Sequence, residues 1–160
     1  MKTKGAVVVA ALVLLMSSST VEADPHCRPV VGTFDLIPET GACASPVGVC
    51  GKGTFKGLLR GPYVSLLTSL TPTPDTPLTS AVLITGDTDL VARLGHRTGT
   101  LHFKDSGAFN TAGEGEFAEL FAITSGTGDF AGATGNLFLT GKYDFAAGGE
   151  GIYHGSVCLP

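Results

Sequence analysis

A glutamate set among large apolar side chains is the residue of this sequence best placed to do chemistry. Within the segment Glu114–Thr124, Glu119 alternates with Phe117, Phe121 and Ile123, and alternate residues of a β-strand share one face. If that face is turned inwards, desolvation raises the pKa of Glu119 and suits it to act as a general acid or base. The opposite face carries Glu114, Glu116, Ala118, Leu120 and Ala122. The sequence therefore makes Glu119 the candidate catalytic residue and leaves open which face is inside.

Two segments with period-two alternation supply the candidate ligand-binding residues. In Asn136–Phe145, large side chains recur at every second position apart from Gly141, which is typical of a half-buried strand. The residues expected to line or fill an interior are Phe117, Phe121, Leu137, Leu139 and Tyr143. Tyr63, Tyr143 and Tyr153 could also offer hydroxyl groups to a ligand, although such tyrosines are more often core residues with a polar tip.

Motifs for metal, phosphate or serine chemistry are absent from the sequence. His26, His96, His102 and His154 share no metal-ligand spacing, and Asp87-x-Asp89 lacks the acidic partners of a calcium loop. No Gly-x-Ser-x-Gly elbow and no glycine-rich phosphate loop ending in Lys-Ser/Thr occurs. We therefore predict no metal site and no organic cofactor.

Four cysteines indicate disulfide chemistry: Cys27, Cys43, Cys50 and Cys158. Four cysteines allow three connectivities. We favour Cys43–Cys50, which closes a small loop, together with Cys27–Cys158, which ties the start of the mature chain to its last strand. The alternative of a zinc site lacks close Cys-x-x-Cys pairs.

The N-terminus has the three parts of a secretory signal peptide. Lys2 and Lys4 precede a short apolar run, and small and polar residues lead to Ala23. We expect cleavage after Ala23, a single domain over 24–160, and a secreted or periplasmic location. The alternative is a membrane anchor, but the apolar run is short for crossing a bilayer. The sequence has 14 acidic and 10 basic residues without a basic cluster, which argues against nucleic acid and membrane partners. Whether the chain is a homo-oligomer stays open.

Short strands separated by Gly, Pro, Asp and Ser predict an all-β protein. We place turns at Gly61-Pro62, at Asp87–Asp89 and at Asp105–Gly107. About eight strands result, and the glycines inside them suggest the bends by which a sheet closes on itself. The fold expected is a single closed antiparallel barrel of about eight strands, wide enough for one small ligand.

The stretch Gly126-Thr-Gly-Asp-Phe-Ala-Gly-Ala-Thr-Gly135, followed by an alternating strand, carries a family resemblance. It resembles the signature of the allene-oxide-cyclase-barrel superfamily, including the Gly-Thr-Gly-x-Phe turn of plant dirigent proteins. The likeness is best over Gly126–Pro160. It implies a barrel, and it permits a cyclase or isomerase that folds a reactive substrate by shape and few polar groups.

Three functions remain open from the sequence. The first is a secreted barrel that binds a small apolar molecule in its interior. The second is a cyclase or isomerase of allene-oxide-cyclase-like type, with Glu119 as the acid. The third is a structural or interaction domain whose interior is filled by side chains; a cavity lined by aromatic residues would separate it from the first two.

Overall fold

Eight antiparallel strands form a closed barrel in the computed structural model, which confirms the predicted fold class. The structure describes residues 26–39, 42–73, 81–111, 115–144 and 146–160. The predicted signal peptide, Met1–Ala23, lies outside the described residues. The strands are β1 (His26–Pro38), β2 (Cys50–Gly57), β3 (Leu59–Pro72), β4 (Val82–Leu94), β5 (Arg97–Phe109), β6 (Glu116–Gly126), β7 (Thr134–Asp144) and β8 (Gly148–Leu159).

Each strand pairs with its neighbour in the chain, and β1 pairs with β8 to close the barrel. In the closing pair Cys27 lies opposite Cys158 and Phe34 lies opposite Gly151. The upper end of the barrel is defined here as the end that carries the connections after β1, β3, β5 and β7. The lower end is the opposite one, where β1 begins and β8 ends. Closure pairs every strand on both sides, so the sheet has no open edge.

The segment Gly126–Gly135 closes the lower end. A short 3₁₀ helix, Gly128–Phe130, carries the ring of Phe130 into the interior, where it is fully buried. The segment is held to β5, since Thr127 N donates to Thr100 O at 2.8 Å. Gly99 permits this close approach, because a Cβ there would lie 2.0 Å from the Thr127 carbonyl oxygen. The glycine-rich stretch therefore acts as a structural plug.

Large side chains fill the lower half of the barrel. Tyr153 is fully buried, and its hydroxyl accepts a hydrogen bond from Leu59 N at 3.1 Å and donates one to Leu59 O. The rings of Phe55 and Tyr153 lie 4.9 Å apart. Other fully buried side chains of this half are Leu90, Leu101, Phe103, Leu137, Val157 and Leu159.

The predicted turn at Gly61-Pro62 is wrong. The chain reverses three residues earlier, between Gly57 and Leu59, where Gly57 has φ +132°, a conformation open to glycine. Pro62 lies within β3, opposite Thr54 of β2. Proline removes one donor but is compatible with extended backbone at such a position.

The predicted turns at Asp87–Asp89 and Asp105–Gly107 are also wrong, since both lie inside strands. Thr88 of β4 points inwards, while its two acidic neighbours face outwards and pair with Lys104 and His102 of β5. Cross-strand pairs of opposite charge stabilise a sheet. Asp105 faces inwards and is buried. In each case a polar sequence typical of turns instead serves contacts between strands.

Two disulfides are present, and the predicted pairing is confirmed. Cys27 is bonded to Cys158 across the pair β1–β8. Cys43 is bonded to Cys50 at the start of β2. Among the residues that the structure describes, no helix has the length and apolar character needed to cross a membrane.

Candidate functional site

A cavity occupies the upper half of the barrel. Its volume is about 70 Å³, which is room for roughly five water molecules. Aromatic rings dominate its wall: Phe34, Tyr63, Phe109, Phe117, Phe121 and Tyr143. Leucines, Ile84 and Val49 add aliphatic surface, and Ser65 and Glu119 add polar groups. This combination of apolar wall and few polar groups is characteristic of small-molecule sites.

The connection between β1 and β2 forms one side of the cavity. Val49 of this connection lines the space, together with Cys50 and Gly51 at the start of β2. Ser45 holds this connection to β3, because its buried hydroxyl donates to Leu67 O at 2.6 Å and accepts from Val49 N at 3.1 Å. The Cys43–Cys50 disulfide braces the same connection.

Five of the six predicted site residues line this cavity: Phe117, Glu119, Phe121, Leu139 and Tyr143. The sixth, Leu137, also faces the interior but is fully buried and does not line the cavity. The face of β6 that carries Glu119 is therefore the inner face. The roles assigned to these residues in binding and catalysis stay predictions.

Glu119 projects across β5 towards the cavity. It lies opposite Gly107, and a Cβ at Gly107 would lie 2.6 Å from Glu119 Cγ, so the glycine leaves room for this side chain. Glu119 is half-buried because the cavity reaches it. The surrounding protein nevertheless removes most bulk water, and this desolvation raises the pKa of Glu119 from 4.5 to about 7.

Asp105 is a second interior carboxyl, and the sequence analysis missed it. The side chain is 5% exposed, and Thr88 Oγ1 donates to its Oδ2 at 2.6 Å. Burial raises the pKa of Asp105 to about 8; the Thr88 hydrogen bond opposes the rise, and the nearby Glu119 adds to it. The signal was available, because Asp105 continues the period-two series of Leu101 and Phe103 on one face of β5.

The tyrosine hydroxyls at the cavity are neutral groups. Tyr63 donates a hydrogen bond to Asp35 O at 2.9 Å, and its pKa is raised by burial and then by the charge of Asp35. Burial also raises the pKa of Tyr143. Tyr153, the third tyrosine considered, lies in the filled lower half and does not line the cavity.

Among the described residues, no three His, Cys, Asp or Glu side chains come together as metal ligands. His102 pairs with Asp89 on the outer surface. His154 stacks on Phe138, also on the outside, with ring centroids 5.6 Å apart.

The free energy of unfolding should fall as the pH rises from about 4 to about 8. Folding raises the pKa of both interior carboxyls, so the folded protein retains protons that the unfolded chain releases. The stability that each group contributes is complete below its unfolded pKa and is lost as the pH rises through the folded pKa. For Glu119 that window is about 4.5 to 7.

Glu119→Gln should flatten this fall, because glutamine does not titrate. Urea denaturation at pH 4.5, 6 and 8 would measure the effect across the window. Glu116→Gln is the matched control, since Glu116 is exposed on the same strand, and it should keep the slope of the unsubstituted protein. A Glu119→Gln variant with that same slope would place the Glu119 carboxyl in ordinary solvent.

The comparisons with known proteins yield one structural likeness. A crystal structure at 1.84 Å of a protein of unknown function from the DUF3224 family of Shewanella oneidensis MR-1 aligns with a TM-score of 0.45 and 20% identity. The alignment covers 84% of this chain and 99% of that one. No protein-family model matches the sequence, and no curated protein is significantly similar.

Proposed function

We propose that this protein is an exported β-barrel that binds a small apolar molecule in the cavity of its upper half. The observation that carries the proposal is the cavity itself, whose wall is mainly aromatic and aliphatic. Phe130 and Tyr153 pack the lower half tightly, whereas the upper half keeps open space. A domain with a purely structural role would gain stability by filling that space, since each unfilled methyl-sized void costs about 1 kcal/mol.

The proposed export rests on two features. Met1–Ala23 has the pattern of a signal peptide. Both disulfides are of the kind that persist in an oxidising compartment outside the cytosol.

A cyclase or isomerase of allene-oxide-cyclase-like type is the second candidate. Glu119 favours it, because a carboxyl with a pKa near 7 beside an apolar cavity can donate or accept a proton at neutral pH. The resemblance of Gly126–Gly135 to that superfamily adds support. Loss of turnover in Glu119→Gln with binding retained would favour this candidate over simple binding.

Filling the cavity tests the binding proposal. Ser65 lines the cavity, whereas its neighbour Val64 is 54% exposed on the outer face of β3. We expect Ser65→Phe to weaken the binding of n-butanol, a probe of about the size of the cavity, by about tenfold or more, while Val64→Phe leaves it unchanged. The measurement is an NMR titration that follows backbone amides of the cavity residues.

Two results would contradict the proposal. One is that Ser65→Phe leaves the affinity for n-butanol unchanged. The other is a titration in which shifts cluster on the outer face of the barrel rather than at the cavity.

A further inference from the structure

The inner wall of the cavity carries a carboxyl group without a partner. Among the described residues, Glu119 makes no hydrogen bond and no ion pair, and its Cγ lies over Gly107 of β5. Water that enters the cavity can solvate it, but a ligand that displaced this water would also have to satisfy the group. A buried carboxylate left without a partner is costly.

A second unsatisfied oxygen lies on the neighbouring strand. Asp105 faces the interior two residues before Gly107, which is opposite Glu119. Its Oδ2 is engaged by Thr88, whereas Oδ1 is buried and has no hydrogen-bond partner among the described residues. The two carboxyls thus lie on neighbouring strands on one side of the interior, and each makes loss of the other's proton less favourable.

No positive side chain offsets these carboxyls at the cavity. Among the described residues that line it, none is Lys, Arg or His. Lys104, next to Asp105 in the chain, is exposed on the outer face and only partly opposes the rise in the pKa of Asp105. An anionic ligand would therefore meet a carboxylate in a poorly solvated space, and this juxtaposition of like charges disfavours binding.

The aromatic wall suits a cation. Phe117 and Phe121 flank Glu119 on its own strand. Phe109 and Tyr143 come from the strands on either side of β6, and their ring centroids lie 6.2 Å apart. The faces of aromatic rings attract ammonium groups, and more strongly where water is excluded.

From this arrangement we infer that the cavity selects small apolar molecules with a cationic amine, and rejects apolar carboxylates of the same size, with Glu119 as the group that pairs with the amine. The inference rests on the proposed binding function and narrows it to a ligand class. The ammonium group lies against Glu119, and the hydrocarbon part occupies the space between the rings.

The selectivity should depend on pH in a defined direction. An alkylammonium, like a lysine side chain, stays charged up to about pH 10. Glu119 lines the cavity and has a pKa of about 7, whereas the buried Asp105 has a pKa of about 8 and keeps its proton over most of the range from pH 5.5 to pH 8. The titratable groups that face it are Asp105 from β5, Tyr63 from β3 and Tyr143 from β7, and both tyrosines stay neutral in this range. Amine affinity should therefore increase from pH 5.5 to pH 8 as Glu119 loses its proton.

The experiment compares n-butylamine, n-butanol and n-butyrate, which share one hydrocarbon chain. At pH 8 the NMR titration should give n-butylamine an affinity about tenfold above n-butanol, and n-butyrate the weakest of the three. Glu119→Gln should remove the advantage of n-butylamine over n-butanol, while the control Glu116→Gln, on the outer face of the same strand, should keep that advantage.

The possible failures are distinct. If n-butyrate binds as well as n-butylamine, or if Glu119→Gln keeps the preference for the amine, the inference is wrong and the binding function stands. If none of the three compounds shifts the cavity residues, the proposed binding function is overturned together with the inference.

Discussion

Replacing Cys27 and Cys158 by alanine should lower the free energy of unfolding by about 5 kcal/mol. The bond joins residues 131 apart in sequence, and in the chain-entropy account the stabilisation grows with the length of the loop that is closed. The bond also lies in the pair β1–β8, which closes the barrel with contacts between the two ends of the chain. Domains are typically stable by only about 5–15 kcal/mol. The variant should therefore be close to unfolding at room temperature.

The Cys43–Cys50 bond provides an internal comparison. It closes a separation of only 7 residues, and alanine at both positions should cost about 2.5 kcal/mol. Guanidinium denaturation followed by far-UV circular dichroism measures both variants. A loss of less than about 1 kcal/mol for the Cys27/Cys158 variant would contradict the argument, as would a larger loss for the Cys43/Cys50 variant.

The fold was predictable where alternation of apolar residues is strong. The predicted strand Asn136–Phe145 corresponds to β7, Thr134–Asp144, because Leu137, Leu139 and Tyr143 mark one face that only Gly141 interrupts. Prediction failed where polar residues sit inside a strand. Asp105-Ser106-Gly107 has the composition of a turn, and its extended form depends on contacts distant in sequence: pairing with β4 and β6 on either side, and the hydrogen bond between Asp105 and Thr88, 17 residues away.

The candidate site was predictable in part for a related reason. Glu119 could be found because it is a single acid within an apolar face. The cavity beside it could not be predicted, because its position depends on how side chains from all eight strands share the interior. The fully buried Phe130 and Tyr153 fill the lower half. Nothing local in the sequence shows that the side chains of the upper half leave a cavity between them.

A pair of phenylalanine substitutions tests the resulting assignment of inner and outer faces. Phe121 is 3% exposed and packs against Phe103 with ring centroids 5.6 Å apart. Phe138 lies on the next strand, opposite Leu120, and is 47% exposed. The two rings are neighbours in the sheet but lie on opposite faces.

Phe121→Ala should lower the free energy of unfolding by about 3–5 kcal/mol, because it removes a buried ring and leaves the space beside Phe103 unfilled. Phe138→Ala should cost less than about 1 kcal/mol, since a half-exposed ring loses little contact on truncation. Urea denaturation of both variants under one set of conditions gives the comparison. If the free energy of unfolding falls with urea concentration at the same slope in both, the two variants expose the same amount of surface on unfolding. Because Phe121 and Glu119 lie two residues apart on β6, they share a face. Equal losses in the free energy of unfolding for the two variants would therefore mean that Phe121 lies on the outer face. Glu119 would then lie on the outer face as well, and the proposed amine selectivity, which depends on its carboxyl, would be wrong.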